Sequence, residues 1–258
     1  MAARAMWKGV IRFGEIKVPV KLYSAIQDRG VHFRLLHEKD HSPVRQAMVN
    51  PETDEIVPYA ETRRAYRTDE GSLVMFNQDE LKALQPDSGR DIEIIQFMPP
   101  TLIDHRWYDR PYYLGPDGSE SPYIALATAL ERSAKEGLAR WTMRNKTYIG
   151  ALRLHHGVPM LMSLRHEEQV VAVESLEPPQ GKALDNRELD MARQLIGMLE
   201  DDFEPAAYHD EYRERVLELI EAKRQGKSVK VTPIRRREAS DDLTQALEAS
   251  LQKERKRA

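Results

Sequence analysis

Apolar positions at the start of the chain recur every second residue. Trp7, Gly9 and Ile11 share one parity, Ile16, Val18, Val20 and Leu22 share the next, and Gly14-Glu15 separates the two runs. A period of two broken by a glycine predicts two strands joined by a hairpin turn. Residues 31–36 predict a third strand, 73–76 a short one and 91–97 another. Residues 107–114 are aromatic-rich and stop at Gly115-Pro116, a strand followed by a turn. Three successive strands follow at 138–143, 148–154 and 158–164, with turns at Asn145-Lys146 and His156-Gly157. Between the early strands, residues 38–72 are rich in Pro, Asp, Glu and Thr and predict a loop or arm.

Helical spacing replaces alternation in five places. Asn77 with Glu80 forms a capping-box pattern for a short helix to Leu84. Ser121 is placed to cap a helix with Pro122 at its first position and Gly137 beyond its end, and Tyr123, Leu126, Ala127, Leu130 and Ala134 give it one apolar stripe. After Pro178-Pro179, Asp185 with Glu188 opens a helix through Glu200, and Pro205 starts another to about Arg224. Ser240 opens a last short helix through Leu243, Leu247 and Leu251.

The 258 residues are 41% hydrophobic and 31% charged, with no cysteine and a net charge of -3. Without cysteine, disulfides and thiolate metal sites are excluded, and a reducing compartment fits. No stretch approaches a membrane span and the first 17 residues hold no apolar run of signal-peptide length, so a cytoplasmic protein without membrane contact is expected. The net charge conceals its distribution. Residues 1–27 carry Arg4, Lys8, Arg12, Lys17 and Lys21 against Glu15 alone. Residues 137–166 carry Arg140, Arg144, Lys146, Arg153 and Arg165 and no acid, and residues 223–237 carry seven Lys or Arg and no acid. Residues 185–222 hold twelve Asp or Glu against four Arg.

On the 138–143 strand, alternation puts Arg140 and Arg144 on one parity and Trp141 and Met143 on the other. One face can pack on a core while the other presents cations to phosphates. No phosphate-binding glycine loop, dinucleotide fingerprint, HExxH pair or nucleophile elbow occurs, and no two of the eight histidines have zinc-ligand spacing. The chain is therefore read as non-catalytic, without cofactor or metal.

Several blocks resemble the bacterial Ku proteins. They are Trp7-Lys8-Gly9, Phe13-Gly14 and the run from Val18 to Ala25, then Phe33-Arg34-Leu35-Leu36-His37, Ile92 to Phe97, and Tyr112-Tyr113-Leu114-Gly115-Pro116. The likeness continues from Leu138 to Arg153, through Asp202-Phe203-Glu204-Pro205, Tyr208-His209-Asp210 and Tyr212, to Leu247-Glu248-Ala249-Ser250. It implies an α+β fold, mainly β: a β-barrel core with an inserted bridging arm over 1–180, C-terminal helices over 181–225, and a basic linker and short helix over 226–258. One pattern departs from the family. Many members carry a Cys-x-x-Cys pair where this chain has Ala47 to Thr53.

The resemblance also implies a function. A ring-shaped homodimer would thread onto double-stranded DNA ends, bind them without reading sequence, and recruit an ATP-dependent DNA ligase, ligase D, in non-homologous end joining at the bacterial nucleoid. The alternative is a protein-interaction scaffold with incidental DNA contact. The DNA-binding candidates are Lys21, Arg34, Arg140, Arg144, Lys146 and Arg153, with Arg235, Arg236 and Arg237 in the tail, and Lys8 and Arg12 behind them. Trp7, Tyr23, Tyr112 and Tyr113 are expected to be core, and the acidic helices of 185–224 are expected to meet protein.

Overall fold

The computed structural model describes residues 4–87, 89–178, 180–181, 185–227 and 247–252. Pro179, Ser240, Leu243 and the tail candidates Arg235, Arg236 and Arg237 lie outside the described residues. The chain divides into two compact units, one of residues 1–28 and 34–175, the other of residues 29–33 and 176–258.

Seven strands of the first unit close into a barrel. They are β1 (Trp7–Phe13), β2 (Ile16–Ser24), β5 (Asp91–Met98), β6 (Tyr108–Pro116), β7 (Glu136–Met143), β8 (Lys146–His155) and β9 (Val158–Leu164). Around the wall the order is β1-β2-β6-β9-β8-β7-β5, and a parallel pairing of β5 with β1 closes it. Closure leaves no unpaired edge in this sheet. The alternating parity becomes inside and outside. Ile11, Val18, Val20, Leu22, Ile92, Tyr112, Leu114, Trp141, Leu152 and Leu161 are buried in one core cluster. Gly14 makes the β1–β2 turn at a positive φ of 55° that side chains other than glycine rarely adopt. Trp141 lies flat across the wall because Gly150 has no side chain: a Cβ there would sit 2.4 Å from the Met162 carbonyl and 2.6 Å from the indole.

Helix α2 (Ser121–Ser133) connects β6 to β7. Its Leu126 and Leu130 join the interior cluster, and it contacts β2 and β8, which β6 and β9 separate along the wall. It therefore closes one end of the barrel. The opposite end is where β6 begins, β7 and β8 turn, and β9 finishes.

The insert between β2 and β5 carries β3 (Arg64–Arg67), β4 (Leu73–Phe76) and α1 (Gln78–Ala83). β3 and β4 form a separate two-stranded sheet. None of residues 34–87 is buried. The second unit contains α3 (Asn186–Met198), α4 (Glu211–Arg224) and a helical stretch at 247–252. The Arg187 guanidinium reaches Glu248 at 2.8 Å, and Arg213 Nε donates to the Arg29 carbonyl at 2.7 Å. No helix among the described residues is long and apolar enough to cross a membrane.

Six local expectations are corrected. Residues 31–36 form no strand and make only an isolated bridge from Leu36 to Pro43. The expected loop over 38–72 contains β3, whose partner β4 supplies the ladder that its weak pattern lacks. Ser121 lies inside α2 rather than capping it, and the helix stops at Ala134 in a left-handed conformation, so Gly137 falls within β7. The β7–β8 turn is made by Arg144-Asn145, both at positive φ, and Lys146 already belongs to β8. Pro205 opens a single short 3-10 turn (Pro205–Ala207), and α4 starts separately behind the Asp210 cap. Of the four aromatics expected to be core, Tyr112 is buried and Trp7 packs on the core cluster, whereas Tyr113 is on the outer wall, opposite Tyr23.

Candidate nucleic-acid interface

Because inward positions are filled by apolar side chains, the cations of the barrel strands project from the outer wall. Register then sets their neighbours. Lys21 on β2 lies opposite Lys8 on β1, and both ammonium groups meet one carboxylate, Asp117 Oδ1, at 3.2 and 3.1 Å. The hydrogen bond from Lys8, reinforced by Lys21, holds the Asp117 carboxyl below the ordinary carboxylate range. Two outward-facing rows further along, Lys17, Arg12, Glu93 and Arg140 line up across β2, β1, β5 and β7. There Arg140 donates to Glu93 at 2.7 Å, and Arg12 lies 3.1 Å from Asp91.

Arg153 is the most constrained candidate. Its Nε is 2.8 Å from Oε1 of Glu136, an ion-pair distance at which its N–H is not aligned on that oxygen. The Glu136 side chain is only 3% exposed, and its other oxygen accepts the Tyr108 hydroxyl at 3.1 Å. The Arg153 guanidinium also stands over the Tyr108 ring, 5.5 Å from its centroid. Burial, with the Glu136 charge behind it, pushes the Tyr108 phenol up, so it remains a hydrogen-bond donor.

The remaining candidates are placed differently. Arg144 and Lys146 flank the β7–β8 turn at the barrel end away from α2, and both are exposed. Arg34 is exposed at the start of the insert. Among the described residues, none of these three is in an ion pair. The structure thus brings Lys21 together with Lys8, and Arg140 into one row with Arg12, while Arg34 stands apart from both groups.

The acids were the functional partners that sequence reasoning missed. The 137–166 run has no acid of its own, yet Glu93 of β5 and Glu136, the first residue of β7, pair with its Arg140 and Arg153, while Asp91 of β5 and Asp117 after β6 pair with Arg12, Lys8 and Lys21 of the 1–27 run. Only strand register makes those pairs, so no local signal could have revealed them.

A family model described as the Ku70/Ku80 beta-barrel domain matches residues 12–191. The chain is 36% identical over 255 residues to the non-homologous end joining protein Ku 2 of Geotalea uraniireducens (strain Rf4), covering 98% of this chain and 99% of that one. It is 34% identical to the non-homologous end joining protein Ku of Coxiella burnetii (strain RSA 331 / Henzerling II), over 99% of this chain and 97% of that one. With the protein of that name from Mycolicibacterium smegmatis (strain ATCC 700084 / mc(2)155) it shares 33% identity, over 95% and 79% of the two chains.

Proposed function

The chain belongs to the Ku family, and from that premise we propose that it binds ends of double-stranded DNA in non-homologous end joining, without catalysis. The observation that carries this reading is the near-full-length similarity to proteins named for that process. Breaks arise in any sequence, so affinity comes from Lys and Arg on phosphates rather than from base edges. Arg144, Lys146 and Arg34 are free to serve at once, whereas Lys8, Lys21, Arg12 and Arg140 must exchange a carboxylate for a phosphate.

The protein acts as a ring-shaped homodimer. Its insert supports this: Leu35, Ile56, Leu73, Met75 and Leu84 are each at least 65% exposed in a segment that buries nothing. Apolar surface on that scale within one compact unit marks a protein contact, and a second copy supplies it through a self-complementary interface. The second unit offers the surface for the ligase, ligase D. Phe203, Tyr208 and Tyr212 are 79%, 74% and 73% exposed amid acidic residues that repel a phosphate backbone.

A ring loads only at a terminus. Gel-shift titration is expected to show tight binding to a linear duplex and only weak electrostatic association with a covalently closed circle of the same length. Equal affinity for the two would overturn the ring.

A further inference from the structure

The end of the barrel left open by α2 holds a cavity of about 330 Å³. Its lining combines the beginnings of β6 and β8 with the end of β9 and the turn that follows. Four features set it apart from the rest of the barrel surface.

First, its charges are unbalanced. Arg110 and Lys146 line it against one acid, Asp109. Second, that acid is already engaged: Arg110 Nε lies 3.8 Å from its Oδ2 and Arg165 Nη2 lies 3.6 Å from its Oδ1. Third, a buried polar group anchors it. Ser163 is 1% exposed, accepts the Arg110 backbone N–H at 3.1 Å, and lies 3.4 Å from the same Asp109 carboxylate. Fourth, Lys146 is in no ion pair among the described residues, whereas the His166 side chain caps the turn that follows β9. Apart from Leu164, the remaining lining residues carry polar groups, among them Tyr112, Thr147, Tyr148 and Gln169. Burial raises the Tyr112 phenol, which keeps it protonated as a donor.

From this arrangement we propose that the open mouth of the barrel is a binding site for a phosphomonoester, with Lys146 as its principal cation. A carboxylate would use two acceptor oxygens. A terminal phosphate offers three strongly accepting oxygens and a charge near -2, which matches the unpaired Lys146 ammonium beside Arg110, backed by several hydroxyl-bearing side chains. The cavity is in the size range of small-molecule sites, with room beyond a phosphate for a nucleoside. Both a free nucleotide and the 5′-phosphate of a DNA terminus present this chemistry. The second source rests on the proposed DNA-end function; the first does not.

The test uses the full-length chain. In isothermal titration, dAMP is expected to bind and deoxyadenosine to give no heat. Lys146→Met is expected to weaken dAMP by about tenfold, the loss of one charge-assisted contact, and Lys146→Arg to restore most of it. An unchanged melting temperature shows that the exposed position leaves the barrel intact. A second arm compares linear duplexes ending in 5′-phosphate and in 5′-hydroxyl. A preference for the phosphorylated end that Lys146→Met abolishes supports the site with DNA as the source, even where free dAMP is silent. The site is overturned if dAMP and the 5′-phosphate are both ignored, or if Lys146→Met binds them unchanged. Failure of both duplexes to bind would instead overturn the DNA-end reading, leaving the dAMP arm to be judged by itself.

Discussion

The barrel and the insert of residues 34–87 lie in one compact unit, yet they treat their side chains in opposite ways. In the barrel each apolar parity is turned inward, and Lys8, Lys21, Arg12, Arg140 and Arg153 on the outer wall each have a carboxylate beside them. In the insert no residue is buried, and its hairpin exposes Tyr66, Leu73 and Met75 by 62%, 68% and 65%. An isolated two-stranded hairpin is marginal in water. The barrel contains what holds it together, while the insert depends on something beyond its own residues. Stability and assembly should therefore respond to different mutations, and that difference can be tested from both sides.

The largest effect on folding is expected inside the barrel wall. Arg153→Met leaves the Glu136 carboxylate buried with only the Tyr108 hydroxyl for company. Removing one partner of a buried ion pair costs about 3 kcal/mol. Chemical denaturation should show that loss in the midpoint, with the slope against denaturant unchanged. Because the guanidinium is already committed, the salt dependence of DNA binding at a temperature well below unfolding should stay the same. A shallower slope with little change in stability would make Arg153 a phosphate ligand instead.

On the insert the pattern reverses. Leu73→Glu with Met75→Glu removes no buried contact from the single chain, so barrel unfolding measured at low protein concentration should shift by less than about 0.5 kcal/mol. Assembly should change strongly. Sedimentation equilibrium is expected to show the homodimer dissociating about a hundredfold more readily, as when interface anchors are replaced by charge. A mutant that stays dimeric would place the contact elsewhere and leave the exposed hairpin unexplained.

The same contrast explains what could be read from the sequence. Barrel strands were legible because each has one wet and one dry face, which writes a period of two into residues such as Val18, Val20 and Leu22. The capping boxes at Asn77 with Glu80 and at Asp185 with Glu188 are local chemistry and were equally plain. β3 was missed because its four residues are all exposed, so no dry face marks them. Residues 31–36 look like a strand from composition, but no neighbour supplies a ladder. The cations of the candidate interface could be named in advance. Their pairing with Asp91, Glu93, Asp117 and Glu136 could not, since it arises between residues as far apart as Lys8 and Asp117.

The smallest expected effect sharpens the comparison at the barrel's own surface, where Asp117 alone pairs with both Lys8 and Lys21. Asp117→Asn keeps the shape and frees two ammonium groups. If this part of the wall meets DNA, each phosphate gained by a freed lysine steepens the dependence of log affinity on log salt by about 0.9, so filter binding over a salt series should show a slope steeper by about 1 to 2. Protonation of Asp117 would have the same consequence in the unmodified protein, and the direction of its shift says where. Lys8 and Lys21 hold that carboxyl below the ordinary range, so its ion pairs persist above the unfolded-state value and are lost only as pH falls through the lower folded-state value. Across about pH 5 to 8 this carboxylate therefore stays charged and contributes no change in slope. An Asp117→Asn slope identical to that of the unmodified protein would mean that this wall faces away from the duplex, leaving the uncommitted bases Arg34, Arg144 and Lys146 as the barrel-unit contacts to pursue.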